Sequence, residues 1–119
     1  LLFDFGDAMR FGASSAPEDE TDLEKVYFDL EIFEAFTKGY LENAAAVLTD
    51  KEKELIFTSC ILMTYECGIR FLADYIDGDV YFRTAYKDHN LDRARNQFAL
   101  VRDMLSKKKE AEAIVKKYL

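Results

Sequence analysis

The chain has 119 residues, of which half are hydrophobic and a third are charged. This composition is typical of one globular domain and excludes collagen-like, low-complexity and wholly disordered proteins. Sixteen basic and 23 acidic residues give a net charge of −7, so we expect neither nucleic acid nor a membrane as a partner, because both bind clustered positive charge. No apolar run approaches the ~20 residues of a membrane span. The chain opens on the apolar segment Leu1–Phe5 rather than on Met, which predicts a fragment of a longer chain.

The first half of the sequence predicts two helices separated by an acidic loop. Residues 3–12 suit a short helix that ends at Gly12. Residues 13–24 hold the only proline and five acids, and we expect a solvated loop there, because the spacing matches no known calcium loop. Val26-Tyr27-Phe28 suits a brief extended segment. From residue 29 to about residue 47, apolar residues recur every three or four positions, which predicts an amphipathic helix.

The second half predicts longer helices. Thr49-Asp50-Lys51-Glu52 has the pattern of a capping box, and the helix that it starts should run to about Ile76. Its interior is apolar on nearly every side, which indicates a central, buried helix. Asn90 is a candidate cap for the last major helix, whose apolar residues step by three and four over 91–105 and suit core packing. Residues 107–119 continue as helix, so the whole reads as all-α with about four or five helices.

The two cysteines and the one histidine predict no reactive centre. Cys60 and Cys67 share one helix face and cannot easily reach each other for a disulfide, so buried free thiols in a reducing compartment are expected. His89 falls at the start of a helix. Two cysteines and one histidine do not complete a zinc site, which normally takes four closely spaced ligands.

Glu66, Arg70 and Asp74 form one charged stripe on the otherwise apolar central helix, at positions i, i+4 and i+8. Two interpretations stay open. The stripe could be a solvated, salt-bridged face, or it could be the wall of a cleft in which the carboxylates hold Arg70 toward a ligand. The segment 77–82 that follows, with a glycine turn and adjacent aromatic residues, suits either a sugar site or a loop fastened to the core.

Several segments together resemble the N-acetylhexosamine 1-kinases of the aminoglycoside phosphotransferase and choline kinase group. They are FDFGDAMRFGA at residues 3–13, ECGIRFLADY at residues 66–75, GDVYF at residues 78–82 and NLDRARNQ at residues 90–97. The resemblance covers nearly the whole chain, in order.

The resemblance implies a protein-kinase-like, two-lobed fold of which residues 1–119 are the helical C-terminal subdomain. It also implies an ATP-dependent, magnesium-requiring parent enzyme that phosphorylates the anomeric hydroxyl of an N-acetylhexosamine in the cytoplasm. The upstream kinase lobe and the sugar are the implied partners. The transfer and metal-binding aspartates of the family precede this segment, so we expect no catalytic residue, no metal ligand and no bound cofactor here, and no activity from the segment alone.

The resemblance also assigns roles to individual side chains. Arg70 and Tyr81 match positions that contact the sugar, and Glu66 and Asp74 are expected to orient Arg70. Sites of this kind need such supporting groups, since contacting side chains must be held in place.

The triplet Asp4-Phe5-Gly6 looks like the magnesium-binding triplet of protein kinases. The preceding strand and the glycine-rich nucleotide loop that accompany the triplet do not occur in this sequence. The resemblance places the metal-binding aspartate earlier in the parent chain. It implies that Asp4 and Asp7 are buried acceptors that brace the catalytic loop of the parent.

A second function stays open: a non-catalytic helical interaction module that pairs, including as a homodimer, through residues 1–5 and the 91–105 seam. Some similar proteins carry the label mucin-desulfating sulfatase. The segment lacks that chemistry, because common sulfatases need Cys or Ser in a C/S-x-P-x-R context and the only proline, Pro17, follows Ala16.

Overall fold

The computed structural model describes residues 2–119, which form six α-helices and, in that range, no β-strand. The all-α class is therefore confirmed, and Leu1 of the apolar opening lies outside the described residues. A single 3-10 turn covers Leu23–Lys25 within the acidic segment. The helices are α1 (Leu2–Gly12), α2 (Leu30–Ala44), α3 (Asp50–Glu54), α4 (Ile56–Ile76), α5 (His89–Ser106) and α6 (Lys108–Lys117).

The structure has more helices than the apolar pattern predicts, because two helices break. The capping box is confirmed: the Thr49 hydroxyl accepts the Glu52 N–H at 3.1 Å, and the Glu52 carboxylate accepts the Thr49 N–H at 2.9 Å. The helix that it starts ends at once, since Leu55 leaves the helical region (φ −100°, ψ 5°) and α4 begins at Ile56. Lys107 makes the same break (φ −106°, ψ 11°) between α5 and α6, and its ammonium donates to the Phe28 carbonyl at 2.9 Å.

Helix α4 is the centre of the fold, packed against α1 and α5 and touching α3 and α6. Two glycines let the helices approach closely. A Cβ on Gly6 of α1 would lie 2.3 Å from the Ser59 carbonyl oxygen of α4, and a Cβ on Gly68 of α4 would lie 2.7 Å from the Phe98 ring of α5. The triplet that contains Gly6 is therefore one turn of a packed helix.

One face of α4 is uncovered, which corrects the prediction that this helix is buried. Leu62, Tyr65 and Ile69 are 53%, 50% and 45% exposed. The length of α4 and its mean hydropathy of 1.3 would also suffice for a membrane span, so an apolar stretch of that length does occur. Core helices of soluble proteins have the same length and composition, so these two properties do not distinguish a core helix from a membrane span.

Aromatic rings fill the core beside α4. The Phe28 and Phe33 ring centroids lie 5.3 Å apart, and those of Phe33 and Phe57 lie 5.6 Å apart. The predicted extended segment at residues 26–28 is an isolated antiparallel bridge between Ser14 and Phe28. This bridge closes the acidic loop and holds its residues near α1.

Candidate functional site

A cleft of about 430 Å³ opens where α1 and α4 meet the segment between α4 and α5. Its lining is rich in charge, with four arginines and three carboxylates around an apolar floor that includes Phe71 and Phe82. The arginines are Arg10, Arg70, Arg83 and Arg93. The volume is within the range of small-molecule sites.

Arg10 of α1 forms one wall and makes three side-chain hydrogen bonds. Its Nε donates to Asp7 at 2.9 Å, and its Nη1 donates to Glu18 at 2.9 Å and to the Gln97 side-chain oxygen at 3.3 Å. Burial disfavours the guanidinium charge, but the hydrogen bonds to Asp7 and Glu18 outweigh it and raise the pKa of Arg10. Sequence reasoning missed this residue, although the i, i+3 spacing of Asp7 and Arg10 was a usable signal.

Arg70 projects from α4 at the mouth of the cleft and is exposed. Its guanidinium carbon lies 5.5 Å from the ring centroids of both Tyr81 and Phe82, within cation–π range. Across residues 2–119 neither Glu66 nor Asp74 comes within 4.0 Å of it as an ion pair. The interpretation of the stripe as salt-bridged is therefore wrong. Aromatic rings, and not carboxylates, orient Arg70.

Asp74 does not orient Arg70. The residue is buried (5% exposed), and its carboxylate accepts hydrogen bonds from another part of the chain. It accepts the backbone N–H groups of Tyr81 at 2.8 Å and Phe82 at 2.9 Å and the side-chain amide of Asn90 at 2.8 Å. Burial opposes its ionisation, yet these donors outweigh burial and hold the pKa of Asp74 below its ordinary value. Asp74 thus fixes the loop that carries both rings against Arg70.

Asn90 completes this anchor and corrects a predicted role. It does not cap α5, which begins one residue earlier at His89. Asn90 is fully buried and also donates to the Asp79 carboxylate at 3.0 Å. That contact holds a left-handed turn, with φ of 97° at Gly78 and 62° at Asp79. No local pattern could reveal this contact, since its partners lie 11 and 16 residues away.

The Tyr81 ring lies beside the Arg70 guanidinium, so the two residues predicted to contact the sugar are neighbours, and their contact with a sugar stays a prediction. The ring is 74% exposed and lies edge-on to Phe82 at 4.9 Å. It lines a separate hollow of about 240 Å³ on the other side of Arg70. Arg70 contributes to both spaces, while Glu66 is exposed and lines only the larger cleft.

Arg93 of α5 is a second residue that sequence reasoning missed. Its guanidinium carbon lies 5.5 Å from the Phe71 ring centroid. Its Nη1 donates to the Arg83 carbonyl and to the Asn90 side-chain oxygen, both at 3.0 Å. Its Nε is buried and has no hydrogen-bond partner among residues 2–119.

Asp4 and Asp7 are exposed in this chain, so their expected burial does not come from residues 2–119. Asp7 pairs with Arg10 at the cleft, whereas Asp4 borders an apolar groove between α1 and α2. Their bracing of a catalytic loop stays a prediction.

The two thiols differ in access. Cys60 is buried, as predicted, and burial raises its pKa to about 12. Cys67 is only partly buried and lines the cleft, where burial also raises its pKa. His89 is the first residue of α5, with Nδ1 accepting the Ala85 N–H at 3.0 Å and Nε2 3.0 Å from the Asp19 carboxylate. The described part of the chain has no group of three or more His, Cys, Asp or Glu side chains placed to hold a metal.

No protein-family model matches the chain. The geometry itself defines a class of site: a small, arginine-rich cleft with an aromatic edge. Such a cleft suits a small polar molecule, because it offers directional donors beside apolar surface.

Proposed function

We propose that the chain is the helical, sugar-binding part of a two-lobed, ATP-dependent sugar 1-kinase that acts on an N-acetylhexosamine in the cytoplasm. The observation that supports this proposal is that Arg70, at the mouth of a 430 Å³ cleft, lies against Phe82, which lines the same cleft, and against Tyr81, which lines the adjoining hollow. A sugar presents hydroxyl groups that need donors and a ring face that needs apolar contact. A guanidinium beside aromatic rings offers both.

The proposed contribution to catalysis is positioning. Phosphoryl transfer depends on holding the acceptor oxygen in line with the phosphate. Arg70 and Tyr81 would hold the sugar, and Asp74 would fix the loop that presents Tyr81. ATP, magnesium and the transfer residues would belong to an upstream lobe of the same polypeptide.

Alkylation of Cys67 provides a direct test of sugar binding. Cys67 lines the cleft, while Cys60 is buried and serves as the unreactive internal control. We expect N-acetylglucosamine or N-acetylgalactosamine to slow the alkylation of Cys67, and choline to leave it unchanged. Arg70→Ala should abolish the protection, whereas Arg102→Ala, an exposed arginine of α5 outside the cleft, should keep it.

In the parent enzyme, Arg70→Ala should lower kcat/KM for the sugar far more than it weakens ATP binding. A coupled ADP-release assay with a panel of sugars and choline measures both effects. Equal kcat/KM for the sugar in wild type and Arg70→Ala would refute the assignment.

The second candidate function is a helical interaction module. The observation that favours it is an apolar groove of about 640 Å³ between α1 and α2, whose lining includes Phe36, which is 50% exposed. In the predicted 91–105 seam, Ala94 and Val101 are buried within the chain while Leu105 is 53% exposed, so the groove supports this function more than the seam does. Light scattering separates the functions: a dimer that Phe36→Asp dissociates, without any sugar effect at Cys67, supports the module.

A further inference from the structure

The cleft has a small net positive charge, and most of its unpaired charged side chains are arginines. Arg10 is paired with two carboxylates, Asp7 and Glu18, each at 2.9 Å. The other charged lining residues are Arg70, Arg83, Arg93 and Glu66. None of these four forms an ion pair within residues 2–119. The lining as a whole, with four arginines and three carboxylates, therefore carries a net charge of +1 in a chain of net charge −7.

Aromatic stacking and one backbone contact gather these arginines on one wall. Phe71 and Phe82 pack with their centroids 4.7 Å apart. Arg70 lies 5.5 Å from the Phe82 ring, and Arg93 lies 5.5 Å from the Phe71 ring, so the two guanidiniums flank the aromatic pair. Arg93 also donates to the Arg83 carbonyl, which brings the third arginine to the same place.

Grouping like charges in a concave, partly apolar site is unfavourable without a counter-ion. The same concentration of charge attracts an anion, because a cleft with low-dielectric walls focuses the field.

We propose that the wall formed by Arg70, Arg83 and Arg93 binds a phosphate group, as free phosphate or as the phosphate monoester of a small organic molecule. Guanidinium groups match phosphate oxygens in geometry, and the three arginines of this wall have no carboxylate within ion-pair distance among residues 2–119. This inference goes beyond the sugar contact at Arg70 and Tyr81, because it involves two arginines that have no part in that contact.

The test measures how far three probes protect Cys67 from alkylation: inorganic phosphate, glucose 1-phosphate and N-acetylglucosamine. The ionic strength is kept constant with KCl. We expect both phosphate-bearing probes to slow the reaction and added salt to weaken their effect. Arg83→Gln should weaken phosphate binding about tenfold, as expected for one lost charge-assisted contact. Arg102→Gln removes the same charge from an exposed site of α5 outside the cleft and should change nothing.

Every outcome of the protection experiment either supports or overturns the proposed phosphate site. Protection by glucose 1-phosphate alone would place the phosphate on an organic carrier, and equal protection by inorganic phosphate would define a free phosphate site. Both outcomes support the inference. Protection by phosphate no greater than by KCl, or equal losses in Arg83→Gln and Arg102→Gln, would overturn it. Protection by N-acetylglucosamine without a phosphate effect overturns the phosphate site and leaves the sugar proposal standing. Protection by phosphate without an effect of N-acetylglucosamine supports the phosphate site and contradicts the sugar proposal.

Discussion

Substituting alanine for Gly6 tests the packing that builds the cleft. Gly6 lies where α1 crosses α4, and an added Cβ would sit 2.3 Å from the Ser59 carbonyl oxygen and 2.9 Å from the Met63 side chain. Ordinary contacts of a Cβ begin near 3.4 Å, so α1 must move by about 1 Å. The nearest atom belongs to the backbone of another helix and cannot turn aside.

Two opposing effects set the magnitude. Replacing a helical glycine by alanine favours the helix by about 1 kcal/mol. Overpacking costs about 1–3 kcal/mol, and a backbone obstacle places Gly6→Ala at the upper end of that range. We therefore expect a net loss of about 2 kcal/mol in the free energy of unfolding, which lowers Tm by about 8 °C for a chain of this size.

Gly39→Ala is the matched control. Gly39 also lies within a helix, α2, but an added Cβ would meet nothing within 4 Å. It should stabilise the protein by about 0.5–1 kcal/mol. Urea denaturation of both variants measures the two values. If Gly6→Ala proved as stabilising as Gly39→Ala, the close approach of α1 and α4 would be refuted. Because α1 carries Arg10, Gly6→Ala should also change the alkylation rate of Cys67.

Three further outcomes follow from the anchored loop and the thiols. Asn90→Ala removes a buried donor from Asp74 and should cost about 1–3 kcal/mol in urea denaturation. Asp74→Asn should lower the urea midpoint most at neutral pH. The pKa of Asp74 is lowered on folding, so its stabilisation is complete above the ordinary value of 3.8 and is lost as the pH falls through the folded-state pKa; a gap between wild type and Asp74→Asn that is the same at pH 7 and at low pH contradicts this. In a thiol titration, Cys67 should react in the native protein and Cys60 only after unfolding, because burial raises the Cys60 pKa to about 12; two equally fast thiols would contradict the packing.

The candidate site was only partly accessible to sequence reasoning. The sequence drew attention to Arg70 and Tyr81, and the structure brings their side chains together. The sequence predicted that Asp74 orients Arg70. The Asp74 carboxylate instead accepts hydrogen bonds from backbone N–H groups of the following loop. Periodicity reports which side chains share a helix face, but it carries no information about which loop folds back onto that face.

Local chemistry by itself determined the helical class, the capping box at Thr49 and the acidic loop, because these depend on neighbours within a few residues. Only the tertiary structure revealed the breaks at Leu55 and Lys107, where the backbone leaves the helical region between two helices. It also decided the burial of Asn90 and the gathering of Arg93 with Arg70, because each depends on contacts between separate elements. The cleft exists only where α1, α4 and α5 meet. These helices can lie close together because Gly6 and Gly68 have no Cβ at the points of contact.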